Sequence, residues 1–376
     1  MKRTKDLTFQ ALIGVLVLAS LIILDPGVWA ASAPERQQLL NKFIEGARKE
    51  GELVVWGIQG MGDDGASALG KAFNARFGLN LRFKYDQAGA TGEKFSRAIM
   101  ETQMGLPASY DAMYAPDHRI VKLIEKGGVE PIERWELLLP EGVDPKYTSP
   151  PAVAGQGFSF GNRVKLIVYN SKLISLKDLP QTTKEVGLPK YKGKFYTAPW
   201  TTGPIFGVLV YSREEWLEIM RGWGQNKVTT IRSRGGVDRM MLGEFAFEPF
   251  SNEHYYFELK EKGDPAGMAV FKDLVPLTYL FHITRKNARH PNAGKLFALW
   301  ATGPEATQIF EKYSWTGNIA TKASKVGSGV LEEVAKIGAR LVSWFDSKEN
   351  LSKLEWFGTK EGEAYEEKIA LALKVK

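Results

Sequence analysis

Leu53-Val54-Val55-Trp56-Gly57-Ile58 is an apolar run, rich in β-branched residues, that predicts a buried strand. The sequence then changes period. Residues 66–77 place Leu69, Phe73 and Phe77 at helical spacing, which predicts an amphipathic helix. The chain therefore contains a strand followed directly by a helix, which is the building unit of an α/β protein.

The same strand–helix order occurs twice more downstream. Leu81-Arg82-Phe83-Lys84-Tyr85 precedes a helix predicted over 93–104, and Tyr110-Asp111-Ala112-Met113-Tyr114 precedes one predicted over 118–125. Three such units in a row predict a parallel sheet covered by helices on both faces.

A second α/β unit is predicted further along the chain. Residues 131–162 are rich in proline and glycine, which predicts an irregular connection. Regular structure resumes over 164–169, and a second unit extends to about residue 275. The apolar strand predicted over 277–283 is long enough to return between two lobes. Two crossings form a hinge, and open α/β sheets bind ligands at the carboxyl ends of their strands.

These boundaries give a two-lobed division of the chain. We assign residues 34–165 plus 276–376 to lobe 1 and residues 166–275 to lobe 2, each a mainly parallel sheet flanked by helices. The lobes are joined by two crossing strands. The tail from residue 330 is predicted to be rich in helix and to pack on the surface of a lobe.

The first 33 residues predict a cleaved secretory signal peptide. Lys2-Arg3 gives a positive start, an apolar run covers 11–24, and small residues allow cleavage after Ala30 or Ala33. The alternative is an uncleaved anchor. The apolar run is shorter than the roughly 20 residues that a spanning helix needs, which favours cleavage.

Composition excludes several kinds of protein. The 376 residues contain no cysteine, so the chain carries no disulfide, thiolate metal site or lipid-linked N-terminal cysteine. We therefore expect a soluble monomer of the bacterial periplasm, not a lipoprotein. The net charge of +7 is spread along the chain, which argues against nucleic-acid binding. The sequence has no His-Glu-x-x-His motif, phosphate loop or nucleophile elbow, so we expect no enzyme.

Two tracts carry a resemblance to a known family. The first is Leu166-Ile167-Val168-Tyr169-Asn170 with Asp178-Leu179-Pro180 and Leu188-Pro189-Lys190-Tyr191-Lys192-Gly193-Lys194, and the second covers 287–297. Over residues 50–325 the chain resembles family 1 extracellular solute-binding proteins, in particular the ferric-ion-binding-like branch. The resemblance implies the type II periplasmic-binding-protein fold. It also implies a receptor that closes two lobes on a solute and delivers it to an ABC-type permease.

The kind of solute stays open at this point. Ferric ion (Fe³⁺) as the transported ligand is one possibility, and a small organic or oxyanion solute is the other; no other cofactor is expected. Two further functions remain as alternatives, namely an enzyme on the same two-lobed scaffold and a ligand-sensing subunit for a membrane receptor.

Candidate binding residues on lobe 1 follow its predicted strands. Gln59 and Gly60 end the first strand, and Gly89 and Thr91 lie just before a helix, whose amides and positive end could hold an anionic group. A tight turn is the alternative for this glycine loop. Asp117 either meets a cationic solute or serves as the N-cap of the next helix.

Candidate residues on lobe 2 are more varied in chemistry. Tyr169 and Asn170 are expected to leave the crossing strand towards the cleft. Trp200 could stack on a solute or pack in the core, and Thr201 and Thr202 could donate hydrogen bonds to it. Further polar side chains lie close together in the stretch Asn252-Glu253-His254-Tyr255-Tyr256.

This stretch also bears on iron. Iron-binding relatives present paired tyrosines here, because phenolate is a hard anionic oxygen donor. An ungapped count back from Lys262-Gly263 puts that pair on Glu253 and His254, with Tyr255 and Tyr256 two residues later. Ferric ion therefore requires either a two-residue gap or ligation by Glu253 and His254. Packing against the sheet is the alternative for both tyrosines.

Overall fold

Strands and helices alternate along most of the chain. The structure is a computed structural model that describes residues 26–87, 89, 91–199 and 204–374. Residues 1–25, most of the expected signal peptide, lie outside this range. The strands are β1 Glu52–Trp56, β2 Arg82–Asp86, β3 Ala112–Pro116, β4 Phe158–Asn170, β5 Tyr196–Thr197, β6 Thr229–Thr230, β7 Phe247–Asn252, β8 Ala266–Ala269, β9 Val275–Thr284 and β10 Leu341–Val342.

The helices lie between and after these strands. They are α1 Pro26–Glu50, α2 Gly62–Phe77, α3 Thr91–Gln103, α4 Asp117–Glu125, α5 Pro145–Thr148, α6 Pro204–Gly207, α7 Arg213–Gln225, α8 Ser233–Met241, α9 Glu253–Glu261, α10 Pro291–Trp300, α11 Pro304–Ser314, α12 Lys325–Lys336, α13 Lys348–Trp356 and α14 Lys360–Leu373. Short 3₁₀ turns cover Trp135–Leu138, Pro151–Val153, Leu176–Asp178, Lys184–Gly187, Pro189–Tyr191 and Trp344–Asp346.

The sheet of lobe 1 begins with the three predicted β-α units. β1 lies between β2 and β3, and both pairs are parallel. α2 and α10 bury their apolar faces together, with the Phe73 ring 5.5 Å from Phe297 and 5.4 Å from Trp300. Edge-to-face packing of this kind stabilises a core beyond the area it buries. The strand–helix expectation for this region is confirmed.

Two long strands connect the lobes. β4 and β9 pair antiparallel from Phe158↔His282 to Val164↔Leu277, and β4 then continues between β7 and β8. β4 starts at Phe158, so the irregular connection predicted to reach residue 162 ends earlier. Gly161 misled the prediction. It marks a register shift in β4, where a Cβ atom would lie 2.4 Å from Thr316 Cγ2.

The lobes differ in strand direction from the mainly parallel sheets expected. The parallel pairs are β1 with β2, β1 with β3, β5 with β6 and β10 with β9, and Phe195 bridges Phe247 in parallel. Every pair of β4, and that of β9 with β3, is antiparallel. The reason is that each crossing strand enters a lobe against the direction of its neighbours. The core of lobe 2 is aromatic, with Trp223 stacked 5.8 Å from Phe250.

The last C-terminal helix packs across the predicted division of the chain. The tail is rich in helix, as predicted, but α14 packs on α7 of lobe 2, whereas the sequence division counts residues 276–376 with lobe 1. A Cβ atom on Gly224 would lie 2.0 Å from the Ala372 carbonyl oxygen. α7 thus offers a glycine where the backbone of α14 comes close.

Helix α1 runs through the expected cleavage sites and docks on lobe 1. It starts at Pro26, and Glu35 accepts a hydrogen bond from Arg134 Nη2 at 2.8 Å. Ala47 is buried against α10. Among the helices that the structure describes, none is long and apolar enough to cross a membrane.

Candidate functional site

A cavity of about 1160 Å³ lies between the two lobes. Lobe 1 contributes Tyr114 and Pro116 from the end of β3, and the crossing strands contribute Arg163, Lys165 and Tyr279. The lobe 2 wall includes Pro199, Phe206, Thr230 and Asn252. Strands β3, β6 and β7 all point their carboxyl ends at this space. The cavity has the size and place of a small-molecule site in an α/β protein.

Two positive side chains of the cavity, Arg163 and Lys165, are held in place by hydrogen bonds to neighbouring side chains. Arg163 Nη1 donates to Glu253 Oε1 at 3.1 Å, and its Nη2 donates to Thr316 Oγ1 at 3.0 Å. Lys165 Nζ donates to the Asn252 side-chain oxygen. These contacts fix two cationic groups on a crossing strand, where a solute in the cavity would meet them.

Glu253 belongs to this framework. Its carboxylate is buried and also accepts the Val164 backbone N–H at 2.9 Å. Burial raises the pKa of Glu253 above its ordinary value, and the charge of Arg163 opposes that shift. The carboxylate therefore ties α9 to β4, and both of its oxygens are engaged.

The next three residues, His254, Tyr255 and Tyr256, have different ring contacts. The His254 ring lies 4.1 Å from Tyr255, and burial together with Arg163 and Lys165 lowers the pKa of His254 well below its usual value. Burial also raises the pKa of the Tyr255 phenol. The Tyr256 ring packs edge-on against Phe257 at 5.0 Å.

A metal set within residues 253–256 stays a prediction. Among the described residues, no group of three or more His, Asp or Glu side chains could hold a metal ion. Tyr255 has the negative charge of Glu248 nearby, whereas Tyr256 lies near Tyr169, so the two phenols face different surroundings.

Tyr169 and Asn170 lie beyond the cavity, in the packing of lobe 2. The Tyr169 ring covers Gly267, where a Cβ atom would be 2.1 Å from its Cζ. Asn170 Nδ2 donates to the Met240 carbonyl at 3.0 Å, and its Oδ1 accepts from Lys172 N–H at 3.0 Å. Neither residue belongs to the described lining of this cavity, which β4 reaches at Arg163 and Lys165, so a role of Tyr169 and Asn170 at the cleft stays a prediction.

On lobe 1 the structure brings Gln59 and Gly89 together. A Cβ atom on Gly89 would lie 2.8 Å from Gln59 Nε2. Gly60 follows with a φ of +92°, which favours glycine, and Thr91 begins α3. These residues lie at the carboxyl ends of β1 and β2, and they stand outside the described lining of the cavity.

The remaining candidates flank the cavity in sequence. Asp117 opens α4, and Pro116 takes the N-cap position that was the alternative role for Asp117. Trp200, Thr201 and Thr202 lie outside the described residues, but Pro199 and Ile205 on either side line the cavity. Asn252 lines it directly.

Sequence reasoning missed Arg163 and Lys165 as cavity residues, and it did not place the C-terminal helix α14 at the cavity. One signal was present, since Arg163 and Lys165 alternate with the buried Val164 and Leu166 in one strand. Charged residues that are nearly buried are uncommon without a partner or a role. The position of α14 at the cavity had no comparable signal, because it depends on packing against α7, which lies more than a hundred residues away in sequence.

Comparisons with known proteins support the fold. No protein-family model matches the sequence, and a search of curated proteins gives no match. Among solved structures, iron-bound HitA from Pseudomonas aeruginosa matches with a TM-score of 0.63 at 18% identity, over 82% of this chain and 99% of that one. The spermidine/putrescine-binding protein PotD from Streptococcus pneumoniae matches with a TM-score of 0.63 at 14% identity, over 86% and 99%.

A third structure shows how varied these proteins are. AfuA from Actinobacillus pleuropneumoniae, with fructose-6-phosphate bound, matches with a TM-score of 0.60 at 17% identity, over 82% of this chain and 98% of that one. All three are binding proteins, and their names specify different ligands. The chain therefore has the two-lobed type II periplasmic-binding-protein fold, and identities this low show the fold alone.

Proposed function

We propose that this chain is a periplasmic solute-binding receptor that closes its two lobes on a small solute and delivers it to an ABC-type permease. The cavity between the lobes, at the carboxyl ends of their strands, carries the proposal. A solute that touches both lobes only when they are closed stabilises the closed state by that difference in contact. No bond chemistry is required.

The proposal also covers where the protein is located in the cell and how the chain divides into lobes. The signal peptide is cleaved after Ala30 or Ala33, and the mature chain is a freely diffusing monomer of the periplasm without a lipid anchor. In this division lobe 1 comprises residues 34–165 together with residues 276–340, which follow the returning strand. Lobe 2 comprises residues 166–275 together with α14. A neighbouring permease gene, as opposed to a kinase gene, would separate transport from sensing.

We favour a small organic or oxyanion solute over ferric ion. Arg163 and Lys165 line the cavity and suit a carboxylate, phosphate or carbonyl oxygen, whereas Glu363, Glu366 and Glu367 of α14 line it as well and suit hydroxyl or cationic groups of an organic solute. The carboxylate of Glu253 is already engaged by Arg163 and Val164. Burial raises the pKa of the Tyr255 phenol and the charge of Glu248 adds to that shift, so a ferric ion would have to displace this proton against both effects.

Native mass spectrometry of protein isolated from periplasm tests this function. We expect a co-purifying small molecule whose mass identifies it, and X-ray scattering should show compaction when that molecule is added back. Lys165→Met in the cavity should weaken its retention, whereas Lys192→Met, exposed on lobe 2, should not. Scattering that never changes with ferric citrate, inorganic phosphate, fructose 6-phosphate, spermidine or thiamine would count against the receptor.

A further inference from the structure

The C-terminal segment, residues 341–373, starts on the returning strand. β10 pairs in parallel with β9 at Leu341↔Val275 and Val342↔Pro276. Phe345 then packs edge-on against two rings of β9, with centroids 5.8 Å from Tyr279 and 5.4 Å from Phe281.

This start also touches lobe 1. The turn Trp344–Asp346 packs against Pro151–Val153, which precedes the outgoing strand β4. Both Trp344 and Phe345 are fully buried, at 1% exposure each. Burial of two large aromatic side chains makes this end of the segment a firm anchor.

The other end of the segment is anchored on lobe 2. The Arg213 guanidinium lies 3.6 Å over the Trp356 ring, and the Tyr365 hydroxyl donates to the Arg213 carbonyl at 2.7 Å. The close approach of Ala372 to Gly224 seats the last turns of α14 on α7.

Helix α14, which forms the lobe 2 anchor, also covers one side of the cavity. Glu363, Glu366 and Ala370 repeat at helical spacing and line the same space as Tyr114 and Pro116 of lobe 1. Tyr365 and Ala372 lie on the opposite side of α14, against α7. One face of the helix therefore holds lobe 2 while the other borders the cleft.

We propose that residues 341–373 form a strap, a third connection between the lobes that limits how far they separate. This inference rests on the proposed function, since it assumes that the lobes open and close on a solute. If β4 and β9 were the only connections, the stiffness of these two strands alone would limit how far the lobes open. The strap adds a restraint, because wider opening must detach either Phe345 from β9 or α14 from α7.

The strap predicts a link between the seating of α14 and the opening of the empty protein. When α14 leaves α7, the restraint is lost and the cavity opens on the side that α14 covers. Lobe separation in the solute-free state should then increase. Two glycines of α7 allow a matched comparison, because only one of them touches α14.

Gly224→Ala puts a methyl group 2.0 Å from the Ala372 carbonyl oxygen, so α14 must move. Gly222→Ala is the control, since its methyl group would meet only the Gly187 Cα at 3.6 Å, an ordinary contact. Both changes replace glycine by alanine in the same helix, so their effects on helix propensity are alike.

Spin labels can report the result cleanly because the chain has no cysteine of its own. Labels at Lys71→Cys on lobe 1 and Lys184→Cys on lobe 2 measure lobe separation, and labels at Lys184→Cys and Lys368→Cys measure the seating of α14. All three lysines are exposed. In solute-free buffer, Gly224→Ala should shift both distance distributions to longer values and broaden them, whereas Gly222→Ala should match the parent protein.

A chain ending at Gly358, which lacks α14, provides a second test should Gly224→Ala fail to fold. It should show the same wider lobe separation. The strap is overturned if α14 leaves α7, or is absent, and the distribution between the lobes stays that of the parent protein. Because no solute is added, this outcome is independent of the solute experiments, which alone decide the receptor function.

Discussion

The Arg163 guanidinium donates to the Glu253 carboxylate over 3.1 Å and so joins a crossing strand to the first turn of α9. The carboxylate also accepts the backbone N–H of Val164, the next residue of the same strand. Arg163 in turn reaches Thr316, which follows α11. One ion pair therefore fixes a cavity-lining cation between elements of both lobes.

Glu253→Gln should lower the free energy of unfolding by about 3 kcal/mol, because it leaves Arg163 without its buried counter-charge. Urea unfolding at neutral pH measures the change. Glu218→Gln is the matched control, since the pair of Glu218 with Arg221 is exposed, and it should cost less than about 1 kcal/mol. Equal effects of the two changes would show that the buried pair has no special weight.

His282→Phe should make the free energy of unfolding depend less steeply on pH in the acid range. Burial lowers the pKa of His282 to about 3, and neither ring nitrogen has a hydrogen-bond partner in the described part of the chain. The unfolded chain takes up this proton near pH 6.5 and the folded chain only near pH 3. Stability therefore falls as the pH drops through that window, by about 1.4 kcal/mol per pH unit.

Urea midpoints at pH 7.5 and pH 4.5 test this effect. The parent protein should lose about 3 kcal/mol more than His282→Phe between the two values. The phenyl ring suits the site because the imidazole already stacks 4.0 Å from Phe160. Parallel pH curves for the two proteins would contradict the prediction.

The sequence predicted the pattern of elements better than the positions of side chains. Periodicity located β1, α2 and the returning strand β9, because each buries a regular face. The start of β4 was misplaced, because Gly157 and Gly161 resemble loop residues. Both are needed for close packing, since a Cβ atom at Gly157 would lie 2.4 Å from Ile120 Cδ1.

The sequence did not indicate which residues of β4 line the cavity. Tyr169 and Asn170 were expected at the cleft, whereas Arg163 and Lys165 line it. The pairing of Arg163 with Glu253 spans 90 residues of sequence, and no local pattern indicates a contact of that range. The seating of α14 on α7 is equally distant in sequence.

Tyr169→Ala should destabilise lobe 2 by about 3–5 kcal/mol, since it removes a buried ring that covers Gly267. Tyr169→Phe should keep that packing and retain whatever molecule co-purifies with the parent protein. Thermal unfolding and native mass spectrometry measure the two effects. Loss of the co-purified molecule from a stably folded Tyr169→Phe would return this residue to the binding site.

Ferric citrate should leave the protein colourless. Our preference for an organic or oxyanion solute predicts no tyrosinate–iron charge-transfer band in visible light, and burial and the Glu248 charge, which raise the pKa of Tyr255, act against loss of its proton. A visible absorption spectrum recorded after each addition of ferric citrate tests this directly. A band that weakens in Tyr255→Phe, but not in Tyr147→Phe, would establish iron as the solute and correct our preference for an organic or oxyanion ligand.

The pairing of the two crossing strands restricts how the lobes can move. β4 and β9 are bonded to each other from Phe158↔His282 to Val164↔Leu277, so together they behave as one ribbon. Sliding one strand along the other would turn every side chain to the opposite face, which rules out shear along the ribbon. Bending across it costs far less. Register shifts at Ser159/Gly161 and Leu166/Val168 lie on either side of Arg163, and these are the two places where we expect bending of the ribbon to concentrate.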